Sequence, residues 1–141
     1  MSLNTIRAAI EGRIATEFAE SPALQVAYDN APFAPPNNAS FIQARIDFGA
    51  SSYVTILKLG SSNGGRDRRN GALTLDVFSP VGQGPGAGLT IAQRCIDLFN
   101  RVKLNDIIFD AASGPRTIEL ARPEGYYQTQ VAITFEAYEE S

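Results

Sequence analysis

The chain contains no histidine and a single cysteine, Cys95. The first absence removes the side chain that most often serves as a general base near neutral pH and the commonest ligand for zinc or copper. The second excludes an internal disulfide and any cysteine-built metal cluster, and without histidine no Cys–His nucleophile can form. Long apolar runs are missing too. None approaches the length of a membrane-spanning helix, and residues 1–7 lack the apolar centre and small-residue cleavage site of a signal peptide. The chain is therefore expected to be made and kept in a reducing cytosol, at least until it joins something larger. Charge is sparse and nearly balanced: 19 % of residues are charged and the formal net charge is −3. A nucleic-acid-binding domain is expected to be basic overall, so any basic contact here has to be local.

What remains is a chain of 141 residues, 44 % apolar, which fits one domain spanning residues 1–141 with an ordinary core. Residues 2–20 carry Leu3, Ile6, Ile10, Ile14 and Phe18 at spacings of three and four, with Arg7, Glu11, Arg13 and Glu17 mostly facing elsewhere. That spacing predicts an amphipathic helix stopped by Ser21 and Pro22. A short strand is expected at 24–28. Residues 29–38, with three prolines and three asparagines, read as a loop in which Phe33 is either a plug into the core or a partner contact. Alternation predicts strands at 40–48, 53–59 and 72–78, a second helix at 89–102, and further strands at 107–109, 116–121 and 126–138. In the second helix Leu89, Ala92, Cys95, Ile96, Phe99 and Val102 form the expected buried face; the strand at 116–121 is expected to pair with 107–109. The order predicts an α+β fold, a mostly antiparallel sheet with two amphipathic helices packed on one face.

Two loops invite a chemical reading. Residues 79–88 form a glycine ladder between strand and helix, and Gly82, Gly84 and Ala87 formally satisfy G-x-G-x-x-A. The match is poor. Pro80 and Pro85 lengthen the turn, the preceding strand is half polar, and no repeated βαβ unit surrounds it. No Gly-Lys-Ser/Thr ends the ladder, so a P-loop is excluded. The ladder reads as a pliable joint between sheet and helix, with a small nucleotide- or ligand-binding domain using residues 82–88 as the alternative from another class.

The second loop, residues 60–71, is long, glycine-rich and basic, with Arg66, Asp67, Arg68 and Arg69 at its centre. Three readings stand: a solvated hairpin tip, a phosphate or nucleic-acid contact, and an arm that docks on an acidic protein surface. Arginine suits bidentate phosphate binding, yet no aromatic residue is interleaved to stack a base. The carboxylates Asp106 and Asp110 flank a short strand without evident partners, and Glu136, Glu139 and Glu140 look like a solubilising strand edge. No catalytic, cofactor or metal residue emerges.

The layout resembles the tail terminator (tail completion) proteins of long-tailed bacteriophages, in their small prophage-type form. The pieces that carry the resemblance are the leading helix around residues 6–11, the proline loop at 31–36, residues 68–78 followed by the glycines of 82–88, and the closing strand at 126–138. The resemblance implies a structural protein, not an enzyme, that forms a ring, typically a hexamer. Such a ring sits on the last ring of the tail tube, ends tube polymerisation and offers a surface for head joining. Its implied partners are further copies of itself, the tail tube protein and the head connector protein, with no membrane, no cofactor and no nucleic acid. Its implied location is the host bacterial cytoplasm during assembly and then the tail–neck junction of the virion. The arm at 60–71 is the only segment matched to a contact, facing the tube or a neighbour. A head-side neck or connector protein is the rival within this class, and an adaptor touching DNA through Arg66, Arg68 and Arg69 a further one.

Overall fold

The computed structural model describes residues 3–20, 24–28, 39–53, 66–80, 82, 86–118 and 126–140. The first helix, α1 (Leu3–Ala19), turns Ile6, Ile10, Ile14 and Phe18 into the core, all essentially without solvent contact. Spacing of four keeps them on one stripe, and burying each contributes roughly 1.5–3 kcal/mol. At the far end the Leu24 amide reaches back to the Phe18 carbonyl at 3.0 Å, satisfying one of the acceptors that a helix terminus leaves free.

Among the described residues seven strands form one sheet. They are β1 (Gln25–Tyr28), β2 (Phe41–Tyr53), β3 (Arg66–Pro80), β4 (Lys103–Leu104), β5 (Ile107–Phe109), β6 (Ser113–Ile118) and β7 (Tyr126–Glu140). Their order is β1-β2-β3-β7-β5-β4, with β6 also on β7. Every pairing is antiparallel except β1 with β2, as expected for an α+β layout. Both helices, α1 and α2 (Gly86–Phe99), share one core cluster with Ile42, Leu73, Leu75, Val77, Val131, Ile133 and Phe135. These strand residues alternate along β2, β3 and β7, so both helices lie on a single face of the sheet.

Several boundaries differ from those expected. The basic segment 66–71, read as loop, is the first part of β3 and pairs on both sides, with β2 and with β7. The physical reason is that β7 pairs with the whole segment and β2 with Asp67, Arg68, Arg69 and Gly71, which outweighs the low strand propensity of Arg, Asp, Asn and Gly. Gly71 within it accommodates a ring: a β-carbon there would stand 2.3 Å from Phe135 Cζ. β2 runs on to Tyr53, and the rest of the strand expected at 53–59 lies outside the described residues, as do the proline loop at 29–38 and Phe33. Helix α2 starts at Gly86 and buries Gly88, Ile91, Ala92, Cys95 and Phe99; Leu89 is 46 % exposed. The face that meets the sheet is the stripe 88, 91, 92, 95 and 99, whose spacings of three and four leave Leu89 on its margin. Finally, β6 does not pair with β5. The two follow one another along the same edge of β7, bridged by the Asp110 amide on the Thr134 carbonyl at 2.9 Å.

Candidate functional site

The arginine cluster sits at one end of the sheet, where the start of β3 runs between the ends of β2 and β7. At its base Arg69 opposes Ala137, which also pairs with Ile107 of β5, and beyond that row only β2, β3 and β7 continue. Register places Arg66 opposite Glu140, Asp67 opposite Glu139, Arg68 opposite Tyr138 and Arg69 opposite Ala137. On the other side Asp67, Arg68 and Arg69 oppose Tyr53, Ser52 and Ser51. The glutamates read as a solubilising edge are therefore strand neighbours of the arginines. Arg68 Nη1 lies 4.0 Å from Glu136 Oε1, and the same carboxylate accepts the Tyr138 hydroxyl at 3.0 Å. Both partners are partly wet, so the ion pair contributes at most about 1 kcal/mol. Arg68 Nε is buried without a hydrogen-bond partner among the described residues. Arg68, at least, stands on a strand surface beside a carboxylate and not at a free loop tip.

The glycine ladder resolves into packing. Gly82 lies in a turn, while Gly86 and Gly88 belong to the first turn of α2. A β-carbon on Gly88 would come 3.1 Å from Thr129 Oγ1 and 3.5 Å from Ser79 Oγ, so the glycine lets the helix settle on β3 and β7. Thr129 and Ser79 are themselves buried. Residues 83–85 lie outside the described residues.

Sequence reading missed two features. On the face away from the helices, Gln43, Asp76, Gln130 and Arg116 occupy one row across β2, β3, β7 and β6. Arg116 Nη2 donates to Gln130 Oε1 at 2.9 Å, and Gln130 Nε2 donates to Asp76 Oδ1 at 3.0 Å. Asp76 is only 6 % exposed, so this relay supplies a partner to a carboxylate that would otherwise be costly to bury. The signal in the sequence is the half-polar character of residues 72–78. The second feature is an open groove of about 500 Å³ beside α1, lined by Ala9, Gly12, Arg13, Thr16, Glu17, Leu98 and Leu104. Arg13 Nε closes one side by donating to the Leu98 carbonyl at 2.9 Å, and Arg94 Nε, 3.3 Å from Glu17 Oε1, ties α2 to α1.

The remaining titratable candidates have structural roles. Asp110 Oδ2 accepts the Thr134 hydroxyl at 2.6 Å, and the Asp106 carbonyl accepts the Tyr138 amide. Burial pushes the Cys95 thiol up to about 12, which leaves it protonated and unreactive. No group of His, Cys, Asp or Glu among the described residues is arranged to hold a metal ion. Among the described residues, no helix is long and apolar enough to cross a membrane.

A family model described as phage tail terminator protein matches residues 5–135. The chain belongs to that family. The expected resemblance is thereby established, and with it a structural role in phage tail assembly. Among solved structures, thirteen chains match. One superposes with a TM-score of 0.66 at 22 % identity, covering 97 % of this chain and 96 % of its own, which supports the fold. No curated protein matches the sequence. Within this tail terminator, Arg66 to Arg69 and the Asp76 relay fall inside the matched region, whereas Glu136, Glu139 and Glu140 lie just beyond it.

Proposed function

We propose that this tail terminator caps the tail tube as a ring of identical subunits, a hexamer, ends tube polymerisation and offers its other face for head joining. Membership of the tail terminator family is the observation that carries this reading. The ribbon of β2, β3 and β7 is the proposed contact with the tube or with the neighbouring subunit, centred on Arg66, Asp67, Arg68 and Arg69. Strand and helix lengths support a projecting ribbon. β3 has 15 residues and α1 has 17, which at roughly 3.3 and 1.5 Å per residue correspond to about 50 and 26 Å. The strands thus outrun the helices that cover them.

The test is tail assembly with and without the protein. Tubes made in its absence should be overlong and headless when imaged by electron microscopy, and the purified chain should restore normal length. Tubes of normal length without it would refute the capping role. For the ribbon, Arg66→Gln, Arg68→Gln and Arg69→Gln together should keep the circular dichroism spectrum yet lose tube capping. Capping at the wild-type level would remove these residues from the contact.

A further inference from the structure

The sheet is open, and its two edges are unlike. On one side β1 covers only residues 41–44 of β2, so residues 45–53 of β2 have no strand neighbour outward among the described residues. On the other side the outermost strand beside residues 128–132 of β7 is β6. A closed ring needs a contact of this kind, one surface of a subunit meeting a different surface of the next. Strand edges are ready templates for such pairing, because their amides and carbonyls are already extended and unpaired.

Two further observations connect these edges. The edges carry groups that can pair: Asp47 is exposed on the β2 edge, its carboxylate 3.4 Å from Arg45 Nε on the same strand, and Arg116 is exposed on β6. Register puts all three side chains on the face away from the helices, since Asp47 opposes Ala72 and Arg116 opposes Gln130. The edges are also staggered. Arg45 and Asp47 lie level with Ala132 and Thr134 of β7, whereas β6 lies level with residues 128–132. Joining staggered edges tilts the strands against the ring axis, which is the shear that closing a sheet requires.

We propose that neighbouring subunits join edge to edge, residues 45–53 of β2 in one copy pairing with β6 of the next, so that Asp47 of one meets Arg116 of the other. This rests on the ring reading above. Pro115 offers no amide, and the ladder of β6 with β7 shifts between Ser113 and Arg116, so the donors of β6 come from residues 116–118.

The experiment compares wild type, Asp47→Arg, Arg116→Asp and the double exchange by sedimentation velocity over a concentration series. Each single change should raise the concentration needed for assembly at least ~10-fold, because a like charge then faces the edge, and the double exchange should bring it back toward wild type. In parallel, the Asp47→Cys and Arg116→Cys double variant should give a covalent ladder of multimers on oxidation, with buried Cys95 inert. Neutral Asp47→Asn and Arg116→Gln variants replace any reversal that loses the native circular dichroism spectrum, and should weaken assembly less. Wild-type rings that persist in both single variants, or a double exchange without rescue, would overturn the edge contact while leaving the ring intact. A disulfide formed by Asp47→Cys alone would overturn it in favour of a twofold contact. Cross-linking of Asp47→Cys to tube protein would give this edge to the tube instead. A wild-type chain that stays monomeric at every concentration and on the tube would remove the ring reading itself.

Discussion

Replacing Gly71 with alanine should cost stability out of proportion to one methyl group. The added carbon would stand 2.3 Å from Phe135 Cζ, 2.8 Å from Cε2 and 2.9 Å from the Asp47 carbonyl oxygen. Carbon atoms rest at about 3.5–4.0 Å, so the ring has to retreat by roughly 1 Å. It has little room: Phe135 is buried, with Phe109 at 5.7 Å and Phe48 at 6.2 Å between ring centroids. The carbonyl cannot retreat without disturbing the β2–β3 ladder. Overpacking costs about 1–3 kcal/mol, and two fixed obstacles put this change near the top, about 3 kcal/mol. For a domain of this size that lowers Tm by roughly 10 °C. Urea and thermal unfolding measure it directly. A double-mutant cycle identifies the cause. Phe135→Leu alone should cost about 1–2 kcal/mol through the space it leaves, but in the Gly71→Ala background it relieves the clash. The two costs should therefore fall short of additive by ~1 kcal/mol or more, with the Asp47 carbonyl limiting full rescue. A Gly71→Ala variant within ~0.5 kcal/mol of wild type, or strictly additive costs, would refute the reasoning.

Three further outcomes follow from the same structure. Gly12→Ala, exposed in mid-helix with nothing near its β-carbon, should stabilise the chain by about 0.5–1 kcal/mol in urea unfolding. Asp76→Ala should destabilise by ~1–2 kcal/mol, and Asp76→Asn by less, since an amide still accepts from Gln130. Cys95 should resist iodoacetamide at pH 8 in the native state and react fully in denaturant, as followed by mass spectrometry; rapid native alkylation would contradict its burial.

Legibility of the fold followed how far each element depends on its own residues. Helix α1 was readable because Ile6, Ile10, Ile14 and Phe18 repeat at the helical period, and β7 because Val131, Ile133, Phe135 and Ala137 alternate. The start of β3 was not readable. Nothing in Arg66, Asp67, Arg68, Arg69, Asn70 and Gly71 favours a strand, and the conformation comes from pairing with distant β2 and β7. Gly71 misled for a related reason: it looks like a turn residue locally and is a seat for Phe135 in three dimensions. Helix α2 was shifted by one turn because Gly86 and Gly88 lower helix propensity, yet Gly88 is what allows the helix to approach Thr129. The groove and the Asp76 relay bring together residues from separate elements, so the half-polar pattern of 72–78 marks the strand but not the relay's partners, and no local pattern marks the groove. The family was legible from the ordering of pieces along the chain, which survives when individual boundaries move.

The strand that completes the middle of the sheet comes last in order among the described strands. β7 holds β3 along its entire length, from Pro80 against Tyr126 to Arg66 against Glu140, and also carries β5 and β6 on its other side. A chain still emerging from the ribosome lacks the strip onto which four of its other elements fasten, since α2 also rests on it. The sheet is thus deferred until β7 has been made, and without that strand it would fall into β1-β2-β3, β5-β4 and an unpaired β6. A copy in which β7 is not yet in place cannot order the ribbon proposed to meet the tube.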